Sequence, residues 1–405
     1  MTDSPSTASE SDSAPVYTEE SAREMVEASQ EILRRGMEGE CASVLTAALE
    51  LARQSVLLFE ADTMYREAAM ATLGNLGPVL ALEGHQDEFE SHMTRMIFHG
   101  SACDGVATNY SKALLNTFSA LAHHDRCPEL MESLTLSRKL AELDPQQPSR
   151  WTAFIEVAHQ AIRFLGTIKD LDRIGEVMTY LASVPESAQG ECVLPLARTL
   201  STLIILTVDA NDLDKAEEGT RRLDDLMRAH PEEAVVLEFA NALSCLIEVT
   251  VYRHPEMTTR IRPWIDRLLE VTIDSPHREH TRILTLTAPA IMAAHLCLAD
   301  HEALTAFIHA AEGAVSRTPG DEELSFNLAR GLVTATRFRN TQRVQHSTGW
   351  LGRLRALFLP PLSEDPLILS IRNSLRNLVR LAPDSSYLSL ESRNFTKETG
   401  IEVGS

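Results

Sequence analysis

The stretch NDLDKAEEGTRRLDDLMRAHPEEAVVLEFANALSCLIEVTVY, residues 211–252, holds two unlike helices and the break between them. Its first half carries Leu213, Ala216, Leu223 and Leu226 on one stripe with charge opposite, the pattern of a helix lying on an outer layer. Its second half, from Val235 to Tyr252, is apolar on nearly every side, so it must be sandwiched between neighbours. Pro231 stands between them, ending one helix and fitting the first turn of the next, where its missing N–H is not needed.

The same arrangement recurs outward along the chain. Pro145, Pro185, Pro231, Pro276 and Pro319 follow one another at intervals of 40, 46, 45 and 43 residues. Midway between them fall short polar breaks at 83–89, 123–129, 166–172, 209–215, 253–257 and 299–303. Two interleaved series with one spacing imply a two-helix unit that buries its faces only against the next unit. The apolar stretches 194–208 and 282–299 repeat the character of 235–252. The expected fold is therefore all-α, a right-handed α-solenoid of antiparallel helix pairs with a period of about 43 residues. Helices over Glu19–Arg35 and Cys41–Glu60 are expected ahead of the repeats, with Gly36 as the stop between them and Pro78 and Pro289 inside apolar helices.

Around Asn211-Asp212-Leu213-Asp214-Lys215-Ala216 and Pro231 the pattern resembles the tetratricopeptide repeat, whose inter-helix turn and closing proline these residues match. Other helix-pair solenoids share the layout. The resemblance implies a non-catalytic binding fold whose inner-face Asn, Lys and Arg hold peptide backbone or a terminal carboxylate.

The expected organisation is a disordered acidic, Ser-rich tail at 1–17, a solenoid at 18–337, a basic amphipathic capping segment at 338–382 and a tail at 383–405. The basic segment is distinctive in a chain of formal charge -21. Nine arginines lie between Arg330 and Arg380, and Trp350, Arg353, Arg355 and Phe358 form a short basic amphipathic helix that either caps the array or docks a partner.

Asn109, Lys112 and Asn116 share one face of a helix expected over 104–123. With Arg150, Arg163, Arg198, Arg282, Asn327 and Arg330 they are the candidate partner-binding residues. The acidic balance disfavours nucleic acid as a main ligand, with RNA or an anionic membrane as alternatives for the basic segment alone. Six widely spaced cysteines and the acidic N-terminus fit a reducing cytoplasm rather than a secreted protein. No short catalytic motif stands in a credible context, and no cofactor or metal is expected; His123-His124-Asp125 reads as a polar turn. Acid pairs such as Glu217-Glu218 and Asp224-Asp225 read as solvated surface. The expected function is a protein–protein interaction scaffold. A peptide- or metabolite-responsive sensor and an obligate subunit of a larger complex are the alternatives.

Overall fold

The computed structural model describes residues 17–100, 127–142, 145–346 and 364–403, which contain helices and no strand. The chain divides into two compact units, Met1–Leu165 with Glu176–Cys192, and Gly166–Gly175 with Val193–Ser405.

The first unit begins with α1 (Glu19–Arg35), set by a capping box in which Ser21 N donates to Thr18 Oγ1 at 3.2 Å and Thr18 N to Ser21 Oγ at 2.8 Å. Glu19 and Glu20 in its first turn and Arg34 and Arg35 in its last complement the helix dipole. The expected stop at Gly36 is corrected by the backbone: Gly36 remains right-handed at φ -58°, and the break falls at Gly39, φ 94°. Gly36 answers a need for space instead, since a Cβ there would lie 2.5 Å from Val79 Cγ2. Next come α2 (Cys41–Ala61), α3 (Arg66–Leu82) and α4 (Gln86–Gly100). The apolar α3, with Pro78 inside it, packs against all three neighbours. Helix α5 (Cys127–Glu142) is followed by α6 (Pro148–Thr167), where buried Trp151 donates its Nε1–H to the Pro145 carbonyl at 3.2 Å. Helices α7 (Leu171–Leu181) and α8 (Glu186–Asp209) complete the first half of the sequence.

The second unit stacks α9 (Leu213–Ala229), α10 (Glu233–Arg253), α11 (Thr258–Thr272), α12 (Arg278–Cys297), α13 (His301–Ser316) and α14 (Glu322–His346) as successive pairs. The long helices form one layer, α10 on α12 and α12 on α14, and each shorter helix lies against the long helix that follows it. Helix α10 has the length and apolarity of a membrane span, as do stretches within 19–61 and 192–209. On α10 half of that stretch is buried against helix neighbours, with Phe239, Leu243, Leu246 and Ile247 fully buried.

Polar bonds join one pair to the next at near-constant sequence separation. Ser244 meets Thr287, 43 residues on, and Arg267 meets Asp224, 43 residues back. Arg278 reaches Asp321 at 43 and Lys215 reaches the Leu171 carbonyl at 44.

The tight turns share one device. Lys169, Asn211 and Ala299 adopt left-handed backbone (φ 59°, 67° and 54°), and the following Asp170, Asp212 and Asp300 each accept an N–H from three residues on, at 3.1–3.2 Å. Gly320 and Asp321 do the same at the start of α14.

The C-terminal boundaries differ from expectation. Residue 338 falls inside α14, which runs unbroken to His346, and most of the described stretch 383–403 is helical. After α15 (Pro366–Leu381), capped by Asp365, the segment folds as α16 (Ser386–Thr399), which buries Leu388 and Phe395 and packs on α14. Arg337 binds Glu398, and Arg372 and Arg376 donate to the Glu402 and Val403 carbonyls.

Candidate functional site

A cavity of about 730 Å³ opens across α10, α12 and α14, one helix from each of three successive pairs. Helix α10 presents Asn241, Ser244, Cys245, Glu248 and Tyr252, spaced to fall on one face. Thr285, Leu286 and Pro289 of α12 form the floor, and Asn327, Arg330 and Thr334 of α14 the far wall.

Close packing shapes the floor. A Cβ at Gly331 would lie 3.3 Å from the Pro289 nitrogen, so the missing side chain is what lets α14 approach α12 at this point. Leu286 and Tyr252 are 41% and 56% exposed, an unusual burden for residues on otherwise buried helices.

The polar groups are unevenly satisfied. The Ser244 hydroxyl lies 2.6 Å from Thr287 Oγ1 and donates to Glu248 Oε1 at 3.4 Å. Burial holds the Glu248 carboxyl above the usual carboxylate range, with the Ser244 bond opposing. Desolvation and the Glu248 charge raise the Tyr252 hydroxyl, while Arg330 works the other way, so both charged groups act on this ring. The Asn327 Nδ2 is buried without a hydrogen-bond partner, while Arg330 is exposed beside it and has no ion-pair partner among the described residues. Burial, with Asp209 and Glu248, pushes the Cys245 thiol up to about 11, so it stays protonated and is a poor nucleophile.

Of the residues expected from sequence, Asn327 and Arg330 are brought together here. Arg282 is engaged with Glu323 at 2.8 Å, and Arg198 lies 3.5 Å from Glu238. Arg163 is exposed on α6, whereas Arg150 is buried there and does not offer an exposed contact. Asn109, Lys112, Asn116, Trp350, Arg353, Arg355 and Phe358 lie outside the described residues. Sequence reading passes over Asn241, Glu248 and Tyr252 because they sit inside a helix that is apolar on average. Their signal is the series 241, 244, 245, 248 and 252, a polar stripe at helical spacing within an apolar run. Asp224, expected on the surface, is 7% exposed because Arg267 and Arg228 close over it.

Fold and cavity together define an α-helical repeat protein with a polar groove across neighbouring pairs. No family model matches the chain, and no curated protein matches it significantly. Among solved structures it is similar to a monomeric mutant of IFIT1 with Gppp-AAAA, at 15% identity and TM-score 0.25, covering 92% of this chain and 77% of that one. Human IFIT1 dimers with PPP-AAAA and with m7Gppp-AAAA match at 14% and 13% identity, each with TM-score 0.22. They cover 92% and 93% of this chain and 81% and 95% of theirs. Likeness at this level carries no functional weight, and those ligands belong to those proteins.

Proposed function

We propose that this chain is a non-catalytic interaction protein, cytoplasmic in setting, that holds an extended segment of a partner protein in the groove across α10, α12 and α14. The observation that carries the reading is the buried Asn327 Nδ2, a donor without a hydrogen-bond partner, flanked by the exposed Arg330, with Asn241 also in the lining and an apolar floor at Leu286 and Pro289. A peptide in extended form presents alternating N–H and C=O groups that asparagine amides match, and its side chains need apolar seats such as Leu286 and Pro289. A volume of about 730 Å³ is within the roughly 300–1,000 Å³ of ordinary ligand clefts. The raised Cys245 pKa speaks against thiol chemistry at the site. The described cysteines Cys41, Cys192, Cys245 and Cys297 are free, as a reducing compartment keeps them. The helix pairs are read as tetratricopeptide-like on the turn Asn211–Ala216 and Pro231, with right-handed coiling and a period near the 43-residue separation of the cross-pair bonds.

The test is affinity purification of the tagged chain from its native cells beside a Leu286→Arg variant whose thermal melt is unchanged. The reading expects a stoichiometric protein with the unaltered chain and its loss with the variant. Recovery of RNA in place of protein, or equal recovery of the protein by both, would contradict it.

A further inference from the structure

Several acids of the second unit are met by arginines from neighbouring helices. Asp214 and Glu217 meet Arg260, Asp224 meets Arg267, and Glu323 meets Arg278 and Arg282. On α10 itself, Glu238 has Arg198 within 3.5 Å. In the groove, Glu248 has no such partner. It is half-buried in the groove wall, its hydrogen-bond partner is a serine hydroxyl, and no cation lies within ion-pair distance among the described residues. A carboxylate drawn partly out of water without a counter-charge is an unfavourable arrangement that a bound cation would relieve. The ring of Tyr252, one turn along α10, is exposed beside it, and so is Leu286 on the groove floor. Around the groove the whole chain carries a formal charge of -21, which draws cationic partners and repels acidic ones.

We propose that the groove selects a partner segment by a lysine or arginine side chain, its charge seated on Glu248 and its methylene stem laid along Tyr252 and Leu286. Arg330 and Asn327 then act as donors to the carbonyl oxygens of the same peptide, which leaves the incoming cation and Arg330 on separate acceptors. The contact is charge-assisted, and the aromatic face adds a cation–π component. The stem covers apolar surface that is otherwise in water. This rests on the reading of the groove as a protein-binding site.

The experiment uses the full chain and a library of random dodecapeptides with the central residue fixed as Lys, Arg, Gln, norleucine or Glu. Binding is read for the unaltered protein, Glu248→Gln and Arg330→Gln, each first shown to melt like the unaltered chain. Lys and Arg sublibraries should bind about tenfold or more tightly than Gln or norleucine, the equivalent of about 1.4 kcal/mol. That preference should vanish in Glu248→Gln and persist in Arg330→Gln, even as overall affinity falls. A basic preference that survives Glu248→Gln would come from the general charge of the chain and would overturn the assignment of Glu248. Preference for Glu, or none, among peptides that do bind would overturn the basic-ligand proposal and leave the groove as a protein site. Failure of every sublibrary to bind would overturn the peptide reading of the groove and this proposal with it.

Discussion

Ala299 sits at φ 54°, in the left-handed region that costs a residue with a Cβ about 1–2 kcal/mol. The same position is Asn211 in one turn and Gly320 in another, residues that tolerate this conformation better. Ala299→Gly should therefore raise stability by about 0.5–1 kcal/mol after the extra freedom of the unfolded glycine is counted. Urea denaturation would show it as a higher midpoint with an unchanged slope. His295 makes a second residue-scale case. It is 3% exposed, neither ring nitrogen has a hydrogen-bond partner, and burial lowers its pKa against the pull of Asp300. Burial also lowers His280 and His92. The unfolded chain takes up protons near pH 6.5 that the folded chain refuses. Stability should hold above that value, fall as pH drops below it, and level off beneath the depressed folded values. A His295→Leu variant should show a shallower fall between pH 7 and 5 in thermal melts, and an identical fall would refute the role given to this ring.

At the scale of elements, Asp224 and Arg267 link α9 to α11, 2.8 Å apart and 9% and 15% exposed at the side chain, beside the more exposed link from Arg260 to Asp214 and Glu217. Removing Arg267 leaves a nearly buried carboxylate with only the largely exposed Arg228 beside it. Arg267→Met should cost about 2–3 kcal/mol, less than a fully buried pair because water still reaches one edge. A double-mutant cycle with Asp224→Asn should recover a coupling of about 1 kcal/mol or more. Gly331→Leu should be destabilising by about 1–3 kcal/mol, since the side chain meets the backbone of α12 at Pro289 rather than a yielding side chain. Helix positions were the most legible feature of the sequence: Glu19–Arg35 is where periodicity places it, and Pro185, Pro231, Pro276 and Pro319 all lie just ahead of helices. The left-handed residue before each capping Asp was not legible, because Lys, Asn and Ala have no common side-chain chemistry. Helix α16 was missed because Leu388 and Phe395 are sparse apolar positions in a polar run. Asp224 was misread because its partner Arg267 is 43 residues away, beyond any local pattern.

For the whole molecule, what sequence discloses about the site is partial for a physical reason. Asn327 and Arg330 stand out as polar residues on a long helix, but a groove is a relation among three helices, two of which come close where Gly331 meets Pro289. The charge of -21 is legible at once, while a groove-lining carboxylate without a cation beside it among the described residues, Glu248, emerges only from the packing of the helices. If basic segments are drawn in by this field, association should slow as salt rises from about 50 to 300 mM while dissociation changes less, measurable by stopped-flow fluorescence of a labelled Lys-containing peptide. The most direct test of the central claim is amide hydrogen exchange on the full chain with and without its copurified partner. The groove predicts slowed exchange within 241–252, 285–289 and 327–334, with α9 and α13 unchanged. Protection confined to other helices, with these three stretches unaltered, would contradict the groove as the binding site.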